Sequence, residues 1–252
     1  MTEQNEQTEQ TEQTRLTPLD ETTFDTVLCV VAHPDDLEYG TAAAVDKWVR
    51  AGKTVTYLLV TRGEAGIDTM APAEAGPLRE AEEREGAARV GVDVVEFLDG
   101  FSDGVVEYGL PLRRAIAREI RIRRPELIIS TTYADHFPGG FVNQADHRAV
   151  GLATVDAKAD AGNRWIFSDL LDEGHEPWQV KQLFVTADPE PTHFVDTSEH
   201  FEAAVASLEA HDAYLAALGP DYPRPRDLLQ SILGGPAEVT GASYSLAGRV
   251  IG

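Results

Sequence analysis

The stretch Thr26-Val27-Leu28-Cys29-Val30-Val31-Ala32-His33-Pro34-Asp35-Asp36-Leu37-Glu38-Tyr39-Gly40 decides the fold. Its first seven residues are apolar or β-branched without alternation, the pattern of a strand buried on both faces of a parallel sheet. Pro34 fixes φ, ends the strand and forces a turn. Polar residues then lead into a small-residue run that predicts a helix over 40–51, stopped by Gly52.

Working outward, the alternation repeats. Strands are expected over 55–61, 94–98 and 127–131, and helices over 78–90 and 112–124, the last halted by Pro125. Four strand–helix units imply an α/β protein: a Rossmann-like, mostly parallel sheet flanked by helices, in one domain over 23–252. Residues 62–77, rich in Gly and Pro, are expected to form a functional loop rather than a simple turn. Further along, 146–161 reads as a helix, and 182–186 and 193–196 read as strands. Residues 198–218 read as one amphipathic helix with Phe201, Val205, Leu208 and Leu215 on a stripe, and 220–252 is punctuated by Pro and Gly without a clear element. Residues 1–22 repeat Thr-Glu-Gln with almost no apolar content, so they read as a disordered acidic tail.

The chain has 252 residues, 42% of them apolar, and a net charge of −22. The tail carries six acids against Arg15 alone, so the rest is acidic in its own right. Such a balance excludes a nucleic-acid partner, which needs clustered Lys and Arg, and docking on an anionic membrane. No apolar run reaches the ~18 residues of a membrane span, and no secretory signal opens the sequence, so the expected location is cytoplasmic. The one cysteine, Cys29, sits within the apolar strand and reads as a buried small hydrophobe.

In open parallel sheets, ligands bind beyond the carboxyl ends of strands, near the switch in strand order. The residues there are 33–40, 61–66, 99–104 and 132–147, and they hold nearly every unusual side chain in the sequence. His33 and Asp36, three apart on the Pro34 turn, can point at one centre, and Asp146-His147 opens a later helix. Imidazole and carboxylate suit Zn²⁺, whose catalytic sites take about three protein ligands and a water. With Asp36 on the metal, Asp35 is left to take a proton from water. The plainer alternative is that Asp35 and Asp36 cap the first helix, favoured by its dipole.

The strings AHPDDLEYG, LLVTRGEAGID, PLREAEEREGAARVGV and NQADHRAVG resemble the LmbE/PIG-L deacetylase family over roughly 26–211. That family includes N-acetylglucosaminyl-phosphatidylinositol de-N-acetylases and the mycothiol and bacillithiol biosynthetic deacetylases. The resemblance implies a Rossmann-like fold, with His33, Asp36 and His147 as zinc ligands and Asp35 as general base. It implies substrate contacts for Arg79 and Asp103, although Arg79 could equally pair with Glu82 or Glu83 on a solvated helix face. It also implies a small-molecule amide substrate, an N-acylated amino sugar.

The sequence departs from the family at one point. Many relatives have His-Pro-Asp-His where this chain has Gln144-Ala145-Asp146-His147. Gln144 can donate to an oxyanion but cannot deliver a proton, which leaves protonated Asp35, or His136 or Tyr133 in the same loop, as acids for the leaving amine. Asp146 is expected beside the ligands. His211, three residues past Leu208, reads as a partly buried, hydrogen-bonded histidine. The leading expectation is metal-assisted removal of an acyl group, which the resemblance implies is acetyl. Alternatives are an amidase acting on a thiol-sugar conjugate, and a non-catalytic metal- or sugar-binding module. A nucleotide-binding domain is disfavoured, because no Gly-x-Gly-x-x-Gly follows the first strand.

Overall fold

A computed structural model describes residues 15–252. In chain order the elements are β1 (Thr17–Pro18), β2 (Thr26–Val31), α1 (Thr41–Arg50), β3 (Thr54–Leu59), α2 (Pro72–Arg89), β4 (Val94–Phe97), α3 (Leu110–Arg123), β5 (Leu127–Thr131), α4 (Ala145–Gly162), α5 (Asp169–Asp172), β6 (Gln182–Thr186), β7 (His193–Asp196), α6 (Phe201–Leu208), α7 (Asp212–Ala217), α8 (Pro225–Gly234), α9 (Ala237–Thr240) and β8 (Ser245–Ile251).

The strands form one sheet in the order β1-β7-β8-β6-β5-β2-β3-β4. All pairs are parallel except those of β8, which runs antiparallel between β6 and β7. β2 lies at the centre, with Cys29 opposite Tyr57 of β3 on one side and Ile129 of β5 on the other. Its alternate side chains enter two cores. Val27, Cys29 and Val31 pack with Trp48 of α1, Val205 and Leu208 of α6 and Leu233 of α8. Leu28, Val30 and Ala32 pack with Ile116 and Ile120 of α3 and Val150 and Ala153 of α4. That division is why β2 carries no polar residue between Thr26 and Ala32.

The chain runs β2, β3, β4 outward in one direction, then crosses over to begin β5, β6 in the other. The order therefore switches between β2 and β5, whose carboxyl ends lie side by side. The segments that follow them carry His33–Asp36 and, at the start of α4, His147, so the topology brings the two remote segments together.

The expected α/β class is observed, with three corrections. Residues 17–22, read as the end of a disordered tail, belong to the folded body. β1 pairs with β7, Leu19 is buried, and Glu21 accepts from Lys47 Nζ and Trp48 Nε1, each at 2.7 Å. An unpaired edge and one apolar anchor suffice where composition suggests solvation. Residues 1–14 of that tail lie outside the described residues. The single helix expected over 198–218 is two, α6 and α7, because the chain turns at His211 (φ −85°, ψ 48°) to bury its ring. The segment 220–252 supplies α8 and the interior strand β8.

α2 also starts earlier than expected, at Pro72, with Pro77 inside it. Pro77, the sixth residue of α2, has no N–H to donate, so the helix goes without one bond of its ladder there. Cys29 is fully buried, as its apolar neighbours require. Among the described residues no helix is long and apolar enough to cross a membrane.

Candidate metal centre and active site

The turn after β2 is held by its own backbone. Asp35 has φ 83°, left-handed for a non-glycine residue, and its carbonyl accepts from Glu38 N at 2.9 Å. Asp tolerates this region better than most side chains, but at a cost in strain. The turn sends two adjacent carboxylates to different partners.

Asp36 Oδ2 accepts from the backbone N–H groups of Ala32 (3.0 Å) and His33 (2.9 Å), while Oδ1 lies 3.0 Å from His147 Nε2. His33 Nδ1 is 3.2 Å from the same His147 nitrogen and 3.8 Å from Asp36 Oδ2. The other nitrogen of each ring faces an acceptor. His33 Nε2 is 3.0 Å from Asp103 Oδ1 and 3.2 Å from Asp146 Oδ2, and His147 Nδ1 is 3.0 Å from Asn143 Oδ1. Those acceptors assign the ring protons to the outer nitrogens. Two imidazole lone pairs and a carboxylate oxygen then converge on one point, an arrangement that repels itself unless a cation lies among them.

The spacing fits such an ion. Bonds of about 2.0–2.1 Å to a tetrahedral metal put its ligand atoms about 3.3 Å apart, close to the contacts in this group. His33, Asp36 and His147 are all buried, and their donor atoms form one compact cluster that could hold a metal ion. Burial opposes charge on His33, but the carboxylates of Asp103, Asp146 and Asp36 outweigh it and hold its pKa well above the ordinary value. The field at this point thus favours positive charge. Burial also raises Asp36, and the two imidazoles more than reverse this, so that its carboxyl is held well below the usual carboxylate range.

Asp146 is fixed in turn. Its Oδ2 accepts from Gly104 N (2.7 Å) and its Oδ1 from Val106 N (3.1 Å), tying α4 to the loop after β4. Asp103, expected from the resemblance to meet substrate, instead uses one oxygen on His33 and the other on Ala65 N (2.8 Å).

Asp35 does not join the ligand group. Its Oδ1 lies 3.3 Å from Arg79 Nη2, and its Oδ2 is buried with no hydrogen-bond partner among the described residues. Burial pushes its carboxyl up to about 7, although the Arg79 guanidinium opposes the rise.

Arg79 is 2% exposed, so it does not lie on the solvated helix face offered as the alternative. Its Nη1 donates to Gly63 O (3.0 Å), its Nη2 donates to Pro34 O (2.7 Å), and the Tyr214 ring covers the guanidinium at 3.9 Å. This explains the glycines of 62–66. A Cβ at Gly63 or Gly66 would stand 2.2 or 2.3 Å from Arg79 Nη1.

Gln144 is exposed as the N-cap residue of α4 and makes no side-chain cap bond. The neighbouring Asn143, which the sequence reading passed over, is the buried amide: it accepts from His147 and donates to Thr132 O (2.8 Å) and Ala134 O (2.9 Å). Its signal was available, four residues before His147. His136 is half exposed and pairs with Asp135. His211 is fully buried, and neither ring nitrogen has a hydrogen-bond partner among the described residues, so it is not the satisfied histidine expected. Glu38 and Glu83, also overlooked, meet it behind the turn.

Comparison with known proteins identifies the family and the fold. Residues 28–158 match a family model described as PIG-L, GlcNAc-PI de-N-acetylase. A diacetylchitobiose deacetylase from Thermococcus kodakarensis is 30% identical over 193 residues, covering 74% of this chain and 69% of that protein. A 1D-myo-inositol 2-acetamido-2-deoxy-alpha-D-glucopyranoside deacetylase from Kineococcus radiotolerans is 30% identical over 200 residues, 65% of this chain and 52% of that protein. Among solved structures, an N,N'-diacetylchitobiose deacetylase from Pyrococcus horikoshii superposes with a TM-score of 0.82 at 22% identity, covering 91% of this chain and 85% of that one. That last likeness establishes the shared fold.

Proposed function

The chain belongs to the PIG-L family of de-N-acetylases, and from that premise we propose that it is a zinc-dependent hydrolase removing an acetyl group from an N-acetylated amino sugar. His33, Asp36 and His147 would hold the ion. The observation that carries this reading is the convergence of three lone-pair atoms, each fixed from behind by a hydrogen bond or carboxylate, beside a buried carboxylate that ligates nothing.

A divalent ion held there would supply Lewis acidity, polarising an acyl carbonyl and making water acidic enough for a carboxylate to deprotonate. Asp35 Oδ2, unpartnered and poised near neutral pH by burial, is the proton acceptor. As a C–O bond forms at the acyl carbon and the C–N bond breaks, the proton taken by Asp35 passes to the departing nitrogen. Asp35 is assigned both roles because Gln144 carries no transferable proton. Asp103 and Asp146 orient His33, Asn143 orients His147, and Arg79 steadies Asp35. The substrate class follows the named relatives, both deacetylases of N-acetylated sugars.

The test is release of primary amine from N-acetylglucosamine and diacetylchitobiose by metal-loaded protein. Activity abolished by chelator and restored by zinc is expected. A chain that binds metal and releases no amine from any N-acetylated sugar would instead be the non-catalytic module.

A further inference from the structure

Behind the His33–Asp36 turn, three ionisable side chains outside the metal group meet in the interior. Glu38 comes from the turn itself, Glu83 from α2 and His211 from the junction of α6 and α7, and all are sealed from solvent. His211 Nε2 lies 3.7 Å from Glu38 Oε2 and 3.8 Å from Glu83 Oε2, and Glu38 Oε1 accepts from Ser207 Oγ at 3.1 Å. Glu83 does something further: its Oε2 accepts the backbone N–H of Asp35 at 3.0 Å.

That N–H belongs to the residue with the left-handed φ of 83°. One helical turn earlier on α2, Arg79 holds the other end of the same peptide group, through Pro34 O at 2.7 Å. Arg79 and Glu83 are four apart, hence on one helix face, and grip the C=O and the N–H of the one peptide that enters the strained turn. We propose that Glu83 is a positioning residue for Asp35, its buried carboxylate fixing the left-handed peptide so that Asp35 turns toward Arg79 while Asp36 turns toward His147. The proposal rests on the reading of Asp35 as the proton acceptor.

A buried carboxylate with no cation against it is a poor device for stability, since an apolar side chain of similar shape is often neutral or stabilising in its place. A strained conformation persists only where its surroundings over-determine it, and such strain gathers at sites of function. Burial, and next the Glu38 carboxyl, push the Glu83 carboxyl well above its ordinary range, against the Asp35 N–H bond that lowers it, and its Oε2 serves as the acceptor for that N–H. The position of Glu83 therefore separates what the fold needs from what the turn needs.

The experiment uses the full metal-loaded chain, with Glu83→Met and Glu83→Gln made alone and in an Asp35→Asn background. Displacing a reacting group by about an ångström costs on the order of 100-fold, so Glu83→Met should lower kcat by about that factor and change KM by less than about 3-fold. Its Tm should not fall and its metal content should stay at one equivalent. Glu83→Gln, which keeps an acceptor oxygen, should lose less than about 10-fold, and in the Asp35→Asn background neither change should cost more than about 2-fold. Normal kcat in Glu83→Met overturns the proposal, as does an equal loss without Asp35. So does a second metal equivalent in the parent that Glu83→Met lacks, which would give the cluster to an ion. Should Glu83→Met fail to fold, hydrogen exchange at the Asp35 amide decides: slow in the parent and in Glu83→Gln supports the clamp, and fast in the parent overturns it. A parent chain inactive on every N-acetylated sugar refutes the functional reading instead, and the amide exchange still judges the clamp.

Discussion

Asn143 Oδ1 lies 3.0 Å from His147 Nδ1, and this contact decides which nitrogen of His147 faces the metal group. The amide is held by two donations of its own, to Thr132 O and Ala134 O, so it cannot flip without losing both. A single buried side chain thus couples the loop after β5 to the tautomer of a ligand.

Asn143→Ala should therefore weaken metal binding without removing a ligand. Loss of such an outer partner costs about 10–100-fold in affinity. Competition with a chromophoric chelator measures it, and unchanged affinity would show that His147 needs no partner.

Asp35→Asn should keep the metal and lose the reaction. Removal of a general base costs about 10²–10⁴-fold in rate, and the amide is nearly isosteric, so metal content and Tm should stay close to those of the parent. Normal turnover by a metal-replete Asp35→Asn protein would show that the proton goes elsewhere.

His147→Ala should bring metal content per chain near zero after gel filtration, while chelation of the parent should lower its Tm. An ion present at about 1,000 times its Kd stabilises the folded state by about 4 kcal/mol. Full occupancy in the variant would remove His147 from the ligand group.

Trp48→Ala should be among the most destabilising substitutions on α1. The ring is fully buried, meets Phe24 edge-on at 5.5 Å between centroids, and donates to Glu21. Large-to-small changes of this kind cost about 3–5 kcal/mol, read as a lower denaturation midpoint. Glu21→Ala should cost about 1 kcal/mol, through loss of a charged acceptor for the buried indole N–H.

Much of this was legible before any coordinates. β2, β3, β5 and β6 are mostly apolar or β-branched runs buried along nearly their whole length, and a strand buried on both faces leaves that mark wherever it occurs. The proposed ligands His33 and Asp36 were legible because a proline turn after the most apolar strand concentrates ionisable residues where a sheet of this type opens. β1 and β8 were not, since one is two residues long and the other mixes Gly and Arg with apolar residues, and both depend on edges made by distant strands. Asn143 and Gln144 differ by one position, and only the start of α4 determines which amide turns inward. Arg79 and Glu83 share a helix face in any reading, but that this face meets the Asp35 turn is a fact of packing.

The antiparallel strand at 245–251 also dictates an order of events. Its partners β6 and β7 end at Thr186 and Asp196, so during synthesis both wait with open backbone edges until Ile251 has emerged. The strands β2 to β5 have all emerged and can pair with one another well before then. A nascent chain would thus assemble its ligand-bearing loops early and remain prone to sticking along one flank until the insertion is made.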